Sequence, residues 1–106
     1  LIYIFDIDGT ICTCSWGQYE NAEPYEERIK KINNLYDGGD KIIFFTARGM
    51  GRSENDVKYA YENFYDFTYN QLKKWGVKFH ELYLGKPEGD IFVDDKGRYS
   101  EDFFNE

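Results

Sequence analysis

Histidine is nearly absent from this chain, one residue in 106, and cysteine stops at two, Cys12 and Cys14. A spacing of one residue is too short for an ordinary unstrained disulfide, so the pair is read as free thiols of a reducing compartment. A zinc site built from His80 and both thiols is set aside in favour of that reading. No apolar run approaches the roughly 20 residues that cross a bilayer, and no basic segment leads into an apolar stretch of the signal-peptide kind. The expected location is therefore cytoplasmic, with no membrane partner. Positive charge is also short: 13 Lys and Arg face 20 Asp and Glu, a net charge of -7. Such a field repels nucleic acid and acidic lipid, so a small or locally clamped ligand is expected.

What is present suffices for one packed domain over residues 1–106. Hydrophobic residues make up 42% of the chain and aromatic rings 20%, so large rings are expected to supply much of the core. The chain lacks an initiator methionine and begins inside its first apparent strand. Residues 1–7 and 41–46 are apolar, β-branched runs of strand length. Between them Pro24, Glu26 and Glu27 suit the first turn of a helix that carries Ile29, Ile32, Leu35 and Tyr36 on one face and stops at Gly38-Gly39. A second helix is expected over about residues 56–75, capped by Ser53 or Asn55, with an interruption near Tyr65 to Thr68 compatible with the pattern. Residues 79–84 read as a third strand and 90–94 as a short fourth. Strands alternating with helices imply an α/β fold with a parallel sheet. Residues 11–23 are neither periodic nor simply polar and are read as a flap, in which Trp16 and Tyr19 either face a ligand or pack on the core.

Each strand ends in residues that carry chemistry. Asp6-Ile7-Asp8-Gly9-Thr10 follows the first, and its two-residue spacing keeps both acids on one side at the ligand-binding end of an open sheet. An EF-hand is excluded, because flanking helices and a glutamate at the twelfth position are missing. Phe45-Thr46-Ala47-Arg48 closes the second run, Gly85-Lys86-Pro87 follows the third, and Asp94-Asp95 the fourth. This order, over residues 1–95, resembles the haloacid dehalogenase superfamily, most of whose members are phosphatases using an aspartate nucleophile and magnesium. The resemblance implies a three-layer Rossmann-like fold with helices flanking the sheet.

By that resemblance Asp6 would attack phosphorus and form an aspartyl-phosphate, while Asp8 would protonate the leaving alcohol and later accept a proton from water. Thr46 and Lys86 would bind the phosphoryl oxygens, and backbone amides after Asp6, with Gly9 and Thr10 shaping the turn, would add donors. Two carboxylates beside a phosphate need a hard cation, and oxygen ligands favour Mg2+. Asp6, the Asp8 carbonyl and Asp94 would hold it, with Asp95 in support. Arg48 and Arg52 flank a glycine-bearing loop where a guanidinium could meet substrate, a structural ion pair being the alternative. Trp16 on the flap is a further substrate contact. Lys96 and Arg98 are read as surface charges, and the tail as anchoring Phe103 and Phe104 on the core.

Only 37 residues separate Asp8 from Thr46 and 39 separate Thr46 from Lys86, which leaves no room for a cap domain. The chain is similar to small capless phosphatases. An oligomer partner or a longer polypeptide could cover the open site. The segments Tyr19-Glu20-Asn21-Ala22-Glu23-Pro24 and Thr46-Ala47-Arg48-Gly49-Met50 resemble phosphatases of bacterial capsule and surface-polysaccharide biosynthesis. That resemblance implies a phosphorylated sugar, polyol or nucleotide-linked precursor as substrate. The alternatives are a nucleic-acid or nucleotide 3′-phosphatase, which would need a basic strip around Arg48, Arg52 and Lys58, and a catalytically silent metal-binding interaction domain.

Overall fold

The computed structural model describes residues 1–106. Three strands, β1 (Ile2–Phe5), β2 (Lys41–Thr46) and β3 (Glu81–Leu84), form a parallel sheet in the order β1-β2-β3. Tyr3 pairs with Ile42 and Phe5 with Phe44, and Phe44 in turn pairs with Leu82. Helix α1 (Glu26–Asp37) connects β1 to β2 and α2 (Val57–Lys74) connects β2 to β3. This is the expected α/β class, with a small parallel sheet and no cap.

Strand alternation puts Phe5, Ile42, Phe44, Leu82 and Leu84 on one buried face. Ile29 and Ile32 of α1, Ala60 and Leu72 of α2, and Val77 and Phe79 beyond α2 complete the same core. Phe103 and Phe104, on the short helix α3 (Ser100–Phe104), lie against Tyr3 and Phe5, as the tail was expected to do. On the other face Ile2, Ile4 and Tyr83 stay exposed.

The elements differ from their sequence patterns at several ends. Pro24 precedes α1 and bridges to Cys12 instead of opening the helix, and Tyr25 holds the cap position. Asp56, not Ser53 or Asn55, caps α2 by accepting from the Tyr59 amide at 3.2 Å. Helix α2 runs unbroken through 65–68, because Thr68 is buried with an arginine partner for its hydroxyl. The expected strand at 90–94 does not form. Ile91 and Val93 are exposed, no ladder reaches them, and three apolar residues between Asp90 and the Asp94 turn provide too little pairing to hold a strand.

Candidate active site

The carboxyl ends of all three strands meet at one open cavity of about 660 Å³. At the end of β1 the chain turns sharply: Gly9 donates to the Cys12 carbonyl at 2.8 Å, and Thr10 and Ile11 both donate to that of Ile7. Gly9 has φ +81°, and a side chain there would meet Cys14 Sγ at 3.1 Å, so the turn is built for glycine. Fully buried Ile7 and Ile11 anchor it from below. Asp6 and Asp8, on either side of Ile7, therefore both line the cavity.

Asp6 forms the floor. Thr10 Oγ1 donates to Asp6 Oδ2 at 3.3 Å, and Lys86 Nζ lies 3.7 Å from Asp6 Oδ1. Loss of water around this carboxyl raises its pKa above the usual 3.8; Lys86 and the Ile7 amide oppose the shift. Lys86 is brought in by Gly85, whose φ of +93° turns the chain after β3, and by the Lys86 amide donating to the Thr46 carbonyl at 3.2 Å. The ammonium also sits 4.7 Å from the centre of the Phe92 ring.

Thr46 ends β2 and is buried to 1% exposure at the cavity wall. Its oxygen accepts from the Arg48 amide at 3.2 Å, which leaves its own proton to donate. The amides of Asp8 and Ala47, both residues of the cavity lining, have no acceptor within the chain. By contrast, the amides of Gly9 and Thr10 are spent on the turn. An anion in this cavity thus finds two free amides, one hydroxyl and one ammonium.

Arg48 behaves differently from a substrate ligand. Its side chain is wholly buried; Nε donates to Asp8 Oδ2 at 2.9 Å and Nη2 to Asp8 Oδ1 at 3.0 Å. Nη1 donates to Gln71 Oε1 at 2.7 Å and to Thr68 Oγ1 at 3.4 Å. The Tyr19 ring covers the guanidinium at 4.7 Å. The substrate contact expected of Arg48 is corrected to the structural ion pair, because every edge of the fork already has a protein partner.

Both rings of the flap line the cavity, but they differ in burial. Trp16 is 93% exposed, at φ +53°, and lines the cavity. Tyr19 packs edge-on against Phe64 and accepts from the Gly49 amide at 2.8 Å. Arg52 donates to the Gly17 carbonyl and lies over the Tyr19 and Phe64 rings. Cys12 is buried and its thiol is pushed up to about 12 by that burial and by Asp8. Cys14 is exposed and also raised, first by desolvation, then by Asp8 and Asp6. His80 takes no part: Nδ1 accepts from the Ile42 amide and its ring stacks on Tyr36.

The magnesium set expected from the sequence does not assemble. No three Asp, Glu, His or Cys side chains gather in an arrangement that could hold a metal. Asp94 and Asp95 are exposed and are not part of the cavity lining. Asp94 Oδ1 closes a turn of its own by accepting from the amides of Lys96 and Gly97, which also lowers its pKa. With the strand at 90–94 unformed, nothing carries this pair to Asp6.

Of the residues the sequence singles out, Asp6, Asp8, Thr46, Lys86 and Trp16 line the one cavity, and Gly9 and Thr10 lie in the turn beneath it. Sequence reasoning missed Gln71 and Thr68. Their signal was two polar residues at a spacing of three on the face of α2 that also carries buried Leu72. It missed Glu88 and Phe92 of the cavity lining as well, for which no local pattern exists.

No family model matches the chain, and neither does any curated protein. Among solved structures, the crystal structure of a structural-genomics target from Vibrio cholerae is similar at 25% identity with a TM-score of 0.90. The match covers 99% of this chain and 88% of that one.

Proposed function

We propose that this domain is a phosphomonoester hydrolase working through an aspartyl-phosphate. The observation that carries the reading is the convergence of Asp6, Asp8, Thr46 and Lys86 on one cavity that also offers two unpaired amides. Phosphate monoesters react slowly without help, so a catalyst must align a nucleophile, neutralise the phosphoryl charge and protonate the leaving oxygen.

Asp6 attacks phosphorus as the bond to the leaving alkoxide breaks. Asp8 gives its proton to that oxygen, so the alcohol leaves neutral. In the second step water attacks the aspartyl-phosphate and its proton passes to Asp8. The bond from phosphorus to Asp6 then breaks, releasing inorganic phosphate. Lys86, the Thr46 hydroxyl and the amides of Asp8 and Ala47 stabilise the phosphoryl oxygens throughout. Each Asp8 oxygen keeps a second lone pair beside its bond to Arg48, and 23% of the side chain is exposed to the cavity.

On the leaving-group side the open wall holds the Trp16 and Phe92 rings with Glu88 between cavity and solvent. Exposed rings that stack on a sugar face, beside a carboxylate that accepts from hydroxyls, suit a phosphorylated sugar or polyol, including the precursor of a surface polysaccharide. Less supports a nucleic-acid 3′-phosphatase: of the basic strip it would need, Arg48 is buried on Asp8, while Arg52 donates to the Gly17 carbonyl and exposed Lys58 faces Glu62.

Phosphate release from a panel of sugar, polyol, nucleotide and oligonucleotide phosphates, with and without magnesium, tests the reading against Asp6→Asn. Turnover lost in that variant supports it; a wild type inert on every ester sinks it in favour of a silent binding domain. Asp94→Asn belongs in the same assay. It leaves turnover within about 2-fold if Asp94 and Asp95 stay clear of the cavity, and a loss above about 100-fold overturns their placement.

A further inference from the structure

Arg48 is a buried cation with no part in the proposed chemistry, and a charge taken out of water is strongly destabilising unless it is paired. Its partners explain its presence. Two prongs of the planar fork take both oxygens of Asp8, which fixes that carboxylate in rotation as well as in position. The third prong reaches Gln71 Oε1 on α2, whose Nε2 donates in turn to the Tyr19 carbonyl at 2.8 Å. Tyr19 then closes the loop, laying its ring over the same guanidinium and accepting the Gly49 amide through its hydroxyl. Asp8, Arg48, Gln71 and Tyr19 therefore form one connected unit between the catalytic turn and the flap.

We propose that Arg48 is the positioning residue of Asp8, and that Gln71 and Tyr19 tie the orientation of that carboxylate to the seating of the flap around Tyr19. The inference rests on Asp8 as the acid and base of the proposed hydrolase. Arg48 touches no substrate. It acts only through Asp8, and the flap that presents Trp16 to the leaving group reaches the reacting centre through the same guanidinium. Binding against Trp16 and alignment of Asp8 are then one event, with no second contact needed between them.

A double-mutant cycle separates this from a substrate-binding or merely structural role. With p-nitrophenyl phosphate, Arg48→Lys, which keeps the charge and loses the fork, is expected to lower kcat about 10- to 100-fold with KM within about 3-fold. In an Asp8→Asn background the same change is expected to add less than about 2-fold, because nothing remains to be positioned. Equal losses in both backgrounds, or an unaltered kcat for Arg48→Lys, overturn the proposal. Gln71→Met leaves the Asp8–Arg48 pair in place and covers the case in which Arg48→Lys does not fold. It is expected to lower kcat by about 3- to 10-fold and to raise amide hydrogen exchange over residues 15–21 by at least about 10-fold. Unchanged exchange rates there refute the link to the flap. If the wild type hydrolyses no ester, the exchange arm still decides the coupling and the hydrolase reading alone fails.

Discussion

Replacing Asp8 by asparagine is expected to cost more stability than replacing its partner Arg48 by methionine, and the asymmetry follows from burial. The Arg48 side chain has no exposed surface, whereas Asp8 keeps 23%. Asparagine offers one acceptor and turns an NH2 group toward a guanidinium that has only donors, so a buried charge is left half-paired. Breaking a fully buried pair in this way costs about 3–5 kcal/mol; the exposure of Asp8 places the expected loss near the lower end, about 3 kcal/mol. Arg48→Met instead leaves a carboxylate that can turn to cavity water and fills the vacated space with an apolar chain, for about 1–2 kcal/mol. A domain of 106 residues has roughly 5–15 kcal/mol in total. Asp8→Asn should therefore lower Tm by about 12–24 °C. Urea unfolding of both single variants and the double variant reads these values, and the double variant should recover part of the Asp8→Asn loss. A cost below about 1 kcal/mol for Asp8→Asn, or a larger one for Arg48→Met, would refute the reasoning.

Three further outcomes are expected. Native protein treated with iodoacetamide at pH 8 should be alkylated at Cys14 alone and more slowly than a free thiol; Cys12, pushed up to about 12, should react only after unfolding. Asp6→Asn should abolish turnover yet raise Tm at pH 7. Folding raises the Asp6 pKa, so the folded state binds the proton more tightly, and the wild type loses stability as pH climbs from about 3.8 through the raised value. A Tm gain that persists at pH 3, where both forms are neutral, would contradict this cause. Gly49→Ala should destabilise by about 2–4 kcal/mol in chemical denaturation. The residue has φ +81°, and an added Cβ would lie 2.7 Å from Phe64 and 3.1 Å from the Ala60 backbone. A near-neutral result would mean that α2 can back away from the loop.

The parts of the site legible in the sequence are those set by local chemistry. An apolar run followed by Asp6, Asp8 and Gly9 specifies a strand that ends in a tight turn, and a parallel sheet sends each such end to the same edge. Thr46 and Lys86 are found for the same reason: each follows a run of strand period directly. Side-chain fates that depend on distant neighbours were not legible. Nothing near Arg48 in the chain distinguishes a buried fork on Asp8 from a solvated arginine on a loop, since its partners Thr68 and Gln71 lie 20 and 23 residues away. Trp16 and Tyr19, three residues apart on one flap, differ in burial because only Tyr19 finds Phe64 and the Gly49 amide.

The segment 90–95 marks the limit most clearly. Its apolar triplet is strand-like in composition, but a strand exists only by hydrogen-bonding to a neighbour, and that pairing belongs to the whole sheet. The order of strands and helices, the acid-bearing turn and the shared edge of the sheet were thus determined by the sequence itself, through periodicity and turn chemistry acting over a few residues. The burial of Arg48, the unequal burial of the two flap rings and the separation of Asp94 from Asp6 were decided by tertiary packing, because each depends on which distant group arrives to satisfy a charge, a ring or a strand edge.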